Sequence, residues 1–417
     1  MQIEGYVAPG FEAVRQTFEH DQRTLAEKNA QLCIYVGDEK VVDLWASAED
    51  GDGFSADSLV NVFSSGKSLE AIAMAYLVSQ GRLDYNATIA GYWPEFARHG
   101  KDALTVADLM RHEAGMAAFD VSLTPEQLLT ENIKQNQVGR VIEDHGLKFR
   151  EGDDNQREYH AITRGWIANE LFRRVDVAGR TIGEFVREEI SERLDADVVV
   201  GVAQEDLPRI SPIQPIPMGR HIAQTFKPRF LGRKVKDNVF QLGGKLLPLV
   251  PRMRQSTTAK APPMIHGMDG IHGFNDPAVA MGESPSANAH CSARGLAKVA
   301  AMMATGGAWA GHEVLSSTGW TALHDDPIPR NMGFDSIFTQ GGVALFQTPE
   351  AHASRLSLAT NQGREGFYGW MGLGGSIFQW HPERKIGFAY VPTSLHVLDL
   401  VNERGKAYQQ ATLKSVG

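Results

Sequence analysis

Ser64 and Lys67, a serine followed three residues later by a lysine, carry the clearest chemical signal in the sequence. An apolar, strand-like run ends at Phe63, and apolar residues at helical spacing begin at Leu69. Residues three apart share one face of a helix, so the Lys67 amine can reach the Ser64 hydroxyl. A serine needs a neighbouring base to become a nucleophile. The pattern therefore predicts nucleophilic catalysis by Ser64 at a helix N-terminus, where backbone N–H groups favour negative charge.

Lys67 can act as a base only if its surroundings lower its pKa. A lysine with an ordinary pKa near 10.4 must lose about 3 units to accept a proton near neutrality, which corresponds to ~4 kcal/mol. A helix N-terminus contributes about 0.3–1 kcal/mol, or ~2 kcal/mol when partly buried. Burial or a second titrating group must therefore supply the rest, and Tyr159 is the candidate for that group.

The flanking elements predict an antiparallel sheet with helices on its faces, an α+β fold. A helical pattern covers 9–29, and strand-like runs at 31–36 and 41–47 are joined by a short turn that favours a hairpin. A second hairpin is predicted from 376–380 and 386–391, followed by a helix from about Leu395. We therefore expect both ends of the chain to build one sheet.

The middle of the chain is mostly helical in pattern from 65 to about 194. We accordingly predict an α/β domain from 1–75 and 285–417, with a mainly helical insert at 76–284. Within the insert, the stretch at about 205–280 is rich in proline and glycine and has weak periodicity, which favours a long ordered loop or lid.

The stretch at about 205–280 differs in charge from the rest of the chain. The whole protein has a formal net charge of −9, yet the stretch from Arg209 to Lys260 holds eleven Lys or Arg and one acidic residue, Asp237. One interpretation, which gives the stretch no binding role, is a solvated lid over the cleft. A second interpretation is that the stretch recruits a negatively charged partner: an acidic acyl carrier, a coenzyme A thioester or an anionic membrane surface.

Composition limits the other possibilities. The acidic net charge argues against nucleic acid as a partner. The two cysteines, Cys33 and Cys291, are expected to be reduced and buried. The first ten residues lack the pattern of a signal peptide and no apolar run is long enough to span a membrane, so we expect a cytoplasmic protein. Ligand-like spacing of His or Cys is absent, so neither a metal nor a cofactor is predicted.

The serine–lysine motif resembles the nucleophile motif of serine β-lactamases and penicillin-binding proteins. Further motifs resemble class C β-lactamases and the family VIII carboxylesterases, and the resemblance covers nearly everything except about 205–280. The motifs that carry this resemblance are Val7-Ala8-Pro9-Gly10-Phe11-Glu12, Tyr92-Trp93-Pro94-Glu95-Phe96, Leu109-Met110-Arg111-His112-Glu113-Ala114-Gly115-Met116, Glu158-Tyr159-His160-Ala161, Ser292-Ala293-Arg294-Gly295-Leu296-Ala297 and Gly372-Leu373-Gly374-Gly375-Ser376.

The resemblance implies the β-lactamase/transpeptidase-like fold and a set of roles. Ser64 would be the nucleophile and Lys67 its proton partner. Tyr159 would take the serine proton or protonate the leaving group, and the choice of base between Lys67 and Tyr159 stays open because such a pair titrates as a unit. The oxyanion hole would be formed by the backbone N–H groups of Ser64 and Leu373.

Two positions depart from the β-lactamase pattern. Ala161 stands where those enzymes have asparagine, and Trp370 stands where they usually have lysine. Those family groups help bind the amide and carboxylate of β-lactams, so their absence favours small esters with neutral or apolar acyl groups. The residues expected to contact such a substrate are His160, Trp370, Met371, Gly372 and Gly374.

Several alternatives remain at this point. The same site could serve an acyltransferase that uses a thioester donor, a β-lactamase or a D-amino peptidase. The fold could also serve as a non-catalytic scaffold. A phosphate-binding loop is a further alternative. Residues 61–68 match the Walker A motif at every required position except the first, where Asn61 replaces glycine.

Overall fold

The computed structural model describes residues 1–48, 53–148, 157–332, 335–348 and 353–417, apart from the side chains of 252, 253 and 255. No helix in these ranges combines the length and the apolar character that a bilayer crossing requires. Cys33 and Cys291 are both buried as free thiols.

A large antiparallel sheet forms the centre of the structure. Within the described residues it has nine strands, in the spatial order β1-β3-β2-β9-β8-β7-β6-β5-β4, and every neighbouring pair is antiparallel. The strands are β1 (Gln2–Val7), β2 (Ala30–Val36), β3 (Glu39–Ser47), β4 (Ile328–Asn331), β5 (Asp335–Phe338), β6 (Ala344–Leu345), β7 (Tyr368–Met371), β8 (Ile377–His381) and β9 (Ile386–Pro392).

Both predicted hairpins are present, as β2–β3 and β8–β9. Strand β2 pairs with β9, so the first and last strand pairs of the chain lie side by side in one sheet. The predicted antiparallel sheet made from both chain ends is thus confirmed. The sequence pattern does not predict β1 or β4–β6, because these strands are short or alternate only weakly between buried and exposed residues.

Helices cover both faces of this sheet and fill the insert. They include α1 (Glu12–Thr24), α2 (Lys67–Ser79), α3 (Thr163–Val175), α4 (Met218–Thr225), α5 (Val239–Leu246), α6 (Ala293–Ala304) and α7 (Glu403–Val416). The other α-helices of the described residues are Ile89–Tyr92, Val106–Met110, Thr130–Lys134, Gln137–Asp144, Ile182–Phe185, Val250–Gln255, Pro277–Met281, Ser317–His324 and Arg355–Asn361.

The two faces of the sheet bury separate cores. Helices α1 and α7 pack together on one face, over apolar residues such as Phe18, Ile34 and Tyr408. Helix α6 packs on the other face against β2, β8 and β9, and its core continues without a break through α2 into the insert. The fold therefore holds α2, and with it Lys67, against the sheet.

Two local expectations differ from the structure. The segment at 205–280 is a chain of short helices rather than a long loop, with α5 begun by a capping box between Asn238 and Gln241. The terminal helix α7 begins at Glu403, later than the predicted Leu395. In each case proline, glycine or tertiary contacts override the local pattern.

Gly387 of β9 lies where α6 approaches the sheet most closely. A Cβ there would lie 2.3 Å from the backbone nitrogen of Ala301 and 2.7 Å from the carbonyl oxygen of Ala297. Gly387→Ala should therefore lower the free energy of unfolding by about 1–3 kcal/mol, since the helix must move. Urea denaturation would measure it. Gly243→Ala in α5, where a Cβ meets nothing within 4 Å, is the control and should not destabilise. Equal stability of the two variants would contradict the close packing.

Candidate active site

Ser64 lies on a strained turn that presents its hydroxyl to a cleft. A two-residue strand, Val60–Asn61, pairs with His290–Cys291 and leads into a single helical turn, Phe63–Gly66, that continues as α2. Phe63 has a φ of 48°, which is unfavourable for a bulky residue, and its N–H donates to Asn61 Oδ1 at 2.8 Å. The turn is thus fixed by the small sheet and the asparagine, as in other sites that hold a nucleophile under strain.

The Lys67 amine is fully buried beside Ser64. Its Nζ lies 3.3 Å from Ser64 Oγ, and it donates to the carbonyl oxygens of Ala161 at 2.7 Å and Ser286 at 2.9 Å. Burial lowers the pKa of Lys67 well below its usual value, and the nearby Arg164 guanidinium lowers it further, against the opposing pull of Glu70. The lowering of the Lys67 pKa that proton acceptance requires therefore comes mainly from burial.

Glu70 and Arg164 form a buried ion pair beneath this lysine. Arg164 Nε donates to Glu70 Oε1 at 2.7 Å, and Ser286 Oγ donates to Glu70 Oε2 at 2.6 Å. Arg164 also donates to the backbone carbonyl of Lys67 at 3.2 Å. Both Glu70 oxygens are engaged in this way, and neither forms a hydrogen bond or ion pair with Lys67.

Tyr159 approaches the other side of the serine. Its hydroxyl forms a short hydrogen bond with Ser64 Oγ, and its ring packs against His112 and Trp370 with centroids 5.0 and 6.1 Å apart. Burial raises the pKa of Tyr159 to about 12, so the phenol keeps its proton near neutral pH. The structure thus brings Ser64, Lys67 and Tyr159 together, as the sequence predicted.

The turn after β7 closes against the nucleophile turn. A Cβ on Gly372 would lie 2.1 Å from Ser376 Oγ and 2.2 Å from the Val62 carbonyl oxygen, so only glycine fits here. Ser376 Oγ donates to that carbonyl at 2.6 Å and lies 3.0 Å from Ser65 Oγ. Within the described residues, the backbone N–H of Leu373 has no hydrogen-bond acceptor.

A family model described as beta-lactamase matches residues 14–412 of this chain. The chain belongs to the β-lactamase family. It is a serine hydrolase of that family, and the predicted resemblance is confirmed.

Individual relatives of this β-lactamase-family protein agree with that assignment. The esterase/beta-lactamase LipL of Mycobacterium tuberculosis is 29% identical over 374 residues, which are 87% of this chain and 76% of LipL. A penicillin-binding protein homologue from Caulobacter crescentus is 25% identical with a TM-score of 0.74, and a family VIII carboxylesterase is 24% identical with a TM-score of 0.77. Each of these two structures matches over 100% of both chains, so the predicted β-lactamase/transpeptidase-like fold is confirmed.

The cleft in front of Ser64 has a volume of about 1220 Å³. This exceeds the ~300–1,000 Å³ of common small-molecule pockets, so it has room for both the acyl and the alcohol part of a substrate. Four of the predicted contact residues, Trp370, Met371, Gly372 and Gly374, line it together with Leu373.

Trp370 and His160 both have structural partners. The Trp370 indole donates to the Gly342 carbonyl at 2.7 Å and stacks on Phe338 with centroids 5.0 Å apart, and only 6% of the residue is left exposed for contact with substrate. His160 is buried and does not line the cleft: its Nε2 accepts from the Met116 N–H at 3.0 Å, and its Nδ1 lies 2.6 Å from the Glu158 carbonyl. His160 therefore supports the tyrosine segment from behind.

Segment 205–280 contacts Glu158, the residue before Tyr159. The Glu158 carboxylate accepts from Ser256 Oγ at 2.9 Å and from the N–H and hydroxyl of Thr257, each at 2.7 Å. Leu249 and 256–258 line the cleft. Hydrogen bonds therefore join this segment to the stretch of chain that carries the tyrosine.

Sequence reasoning missed Glu70, Arg164 and Ser286. Glu70 gave a detectable signal, because a carboxylate one turn after Lys67 interrupts an otherwise apolar helix. Arg164 resembled an ordinary surface residue of α3, and Ser286 contributes a backbone carbonyl as well as its hydroxyl. A backbone carbonyl carries no sequence signal at all.

Buried neutral histidines should make the protein sensitive to acid. Burial lowers the pKa of His160 and of His324 to about 4, and His324 Nε2 accepts the Trp380 indole N–H at 2.9 Å. The unfolded chain, with an ordinary histidine pKa near 6.5, binds more protons between those values. The free energy of unfolding should therefore fall on acidification from about pH 6.5 to 4, by up to ~1.4 kcal/mol per pH unit for each histidine.

Urea denaturation across this pH range would test the expectation. His324→Gln should flatten the pH dependence relative to wild type. His272→Gln is the matched control, because that side chain is exposed to solvent, and it should leave the slope unchanged. A wild-type stability independent of pH in this range would contradict the buried neutral state.

Proposed function

We propose that this protein is a carboxylesterase that works through an acyl-enzyme on Ser64, with Lys67 as general base and Tyr159 as proton donor to the leaving group. The observation that carries the proposal is the shared position of the three groups: Lys67 Nζ and the Tyr159 hydroxyl both contact Ser64 Oγ. The substrates we propose are small esters with neutral or apolar acyl groups.

The contacts of Lys67 support its role as base. A neutral amine has two N–H donors and one lone pair. The carbonyls of Ala161 and Ser286 can accept those two N–H groups, which leaves the lone pair for the Ser64 hydroxyl proton. The lowered pKa of Lys67 agrees with this neutral state. Removing the serine proton as Oγ attacks the ester carbonyl would then form the tetrahedral intermediate.

The raised pKa of Tyr159 supports a different role for that residue. A phenol that keeps its proton can donate to the alkoxide of the leaving alcohol and recover a proton through the lysine. The developing oxyanion would be held by the N–H groups of Ser64 and Leu373, and one such donor is worth about 2.7–4 kcal/mol. Water would then release the acyl group by the same steps in reverse order.

A β-lactamase activity is the second candidate, because the similar LipL is named an esterase/beta-lactamase. Against it stands Trp370, which lies where the resemblance places a cation in β-lactamases. Its ring is almost fully buried against Phe338 and offers no charge to a β-lactam carboxylate. The ester proposal is therefore the stronger of the two.

Loss of the nucleophile should abolish turnover. Ser64→Ala is expected to lower kcat for p-nitrophenyl butyrate on the order of a millionfold, and Lys67→Ala and Tyr159→Phe should be nearly as damaging because the three act as a unit. Intact-mass analysis after fluorophosphonate treatment should show one adduct in the wild type and none in Ser64→Ala. Ser65→Ala is the matched variant, since its serine is the next residue and should keep the adduct on Ser64. More than about a per cent of residual activity in Ser64→Ala would contradict the assignment.

Esters should be preferred over β-lactams. A missing charged hydrogen-bond partner for the lactam carboxylate is worth roughly 1.5–3 kcal/mol, or about 10- to 100-fold in kcat/KM. Comparing kcat/KM for p-nitrophenyl butyrate and nitrocefin measures this preference. Comparable turnover of both would favour the β-lactamase candidate instead.

A further inference from the structure

Large apolar side chains are exposed at unusual density along 218–250, the docking segment. Eight of the fifteen exposed large apolar residues in the described part of the chain lie in these 33 residues. Phe230 and Phe240 are 86% and 85% exposed. The eight are Met218, Ile222, Phe226, Phe230, Leu231, Phe240, Leu247 and Val250. Concentrations of this kind mark surfaces that are covered by a partner.

The cations of the docking segment fall into two groups. Lys236 binds Asp21 at 2.7 Å, and Lys245 binds Asp237 and Glu403, each at 2.8 Å, so these lysines anchor the segment. Arg220, Lys227 and Arg229, by contrast, are exposed and form no ion pair with any described residue. The unpaired cations alternate along the chain with the exposed apolar side chains.

The segment is also held in place by its backbone. The N–H of Ala26 donates to the Lys234 carbonyl at 2.9 Å, and the Lys234 N–H donates to Gln224 Oε1 at 3.0 Å. Helices α4 and α5 contact each other. The apolar side chains are therefore fixed outward by an anchored scaffold rather than by a loose loop.

We propose that the docking segment binds this enzyme to an anionic lipid surface. Apolar side chains that enter the headgroup region, together with cations that face anionic headgroups, are the combination that interfacial binding uses. An acidic protein would also attract the cations, but it would need a matching pocket for each protruding phenylalanine. A fluid lipid surface accepts Phe230 and Phe240 without one.

The position of the segment links docking to the substrate. The docking segment runs directly into Val250–Gln255 and then into the residues that bind Glu158 and line the cleft. In a docked enzyme the mouth of the cleft would therefore lie beside the lipid. Its substrates would then be esters that partition into membranes. This consequence for the substrate rests on the proposed esterase function, whereas docking itself does not.

Vesicle flotation tests the docking. The wild-type protein should float with vesicles of phosphatidylcholine mixed with phosphatidylglycerol, and less with phosphatidylcholine alone. Binding should weaken as salt rises, since charges are screened over about 8 Å at physiological ionic strength. Lys227→Gln with Arg229→Gln should lower the partition coefficient about 25-fold, at about fivefold for each cation near the surface.

Matched variants separate docking from folding and from catalysis. Arg82→Gln with Arg140→Gln makes the same charge change at exposed residues outside the segment and should float like the wild type. Phe230→Ser with Phe240→Ser should lose flotation at every salt concentration, while turnover of soluble p-nitrophenyl butyrate stays unchanged. Ser64→Ala should still float, so a failure of the proposed chemistry would be seen separately.

Three results would overturn the proposal. The first is a wild-type protein that does not float with either kind of vesicle. The second is a loss of flotation in the Arg82 and Arg140 control as large as that in the Lys227 and Arg229 variant. The third is unchanged flotation of the phenylalanine variant. If the wild-type protein does not bind vesicles but binds an acidic carrier protein saturably, the surface would be assigned to a protein partner instead.

Discussion

The burial of one amine among carbonyl oxygens is the interaction on which the candidate site depends. Lys67 Nζ is surrounded by Ala161 O, Ser286 O and Ser64 Oγ, and no carboxylate of the described residues lies at hydrogen-bonding distance from it. The nearby Glu70 could hold a proton on the lysine, but Arg164 and Ser286 engage both of its oxygens. Because desolvation disfavours the charged amine, the lysine is placed to accept a proton.

Such an arrangement needs a rigid scaffold, since an amine displaced by about 1 Å could lose on the order of a hundredfold in rate. The rigidity comes from elements far apart in sequence. Helix α2 carries the lysine and packs into the core that continues from α6 and the sheet. The turn at Gly372 is tied to the nucleophile turn through Ser376. The apolar packing around the polar site therefore fixes the positions of its side chains.

Segment 205–280 shows how tertiary contacts change what the composition of a segment implies. Proline, glycine and positive charge at 205–280 predicted a loop that attracts anions. The structure replaces the loop by short helices and divides the charges, because Lys236 and Lys245 neutralise buried carboxylates while Lys227 and Arg229 face solvent. Counting charges along the chain could not separate anchoring from exposed cations, since each pairing partner is distant in sequence.

Local spacing along the chain is enough to predict the serine and lysine on one helical face and the β2–β3 and β8–β9 hairpins. Tyr159 was found through motif resemblance, and its contact with Ser64 Oγ is a tertiary feature. Only the fold decided that His160 turns away from the cleft and that Trp370 is buried on Phe338. It also decided the burial that sets the pKa of Lys67. Desolvation depends on everything packed around a group, and that is fixed by topology rather than by neighbours along the chain.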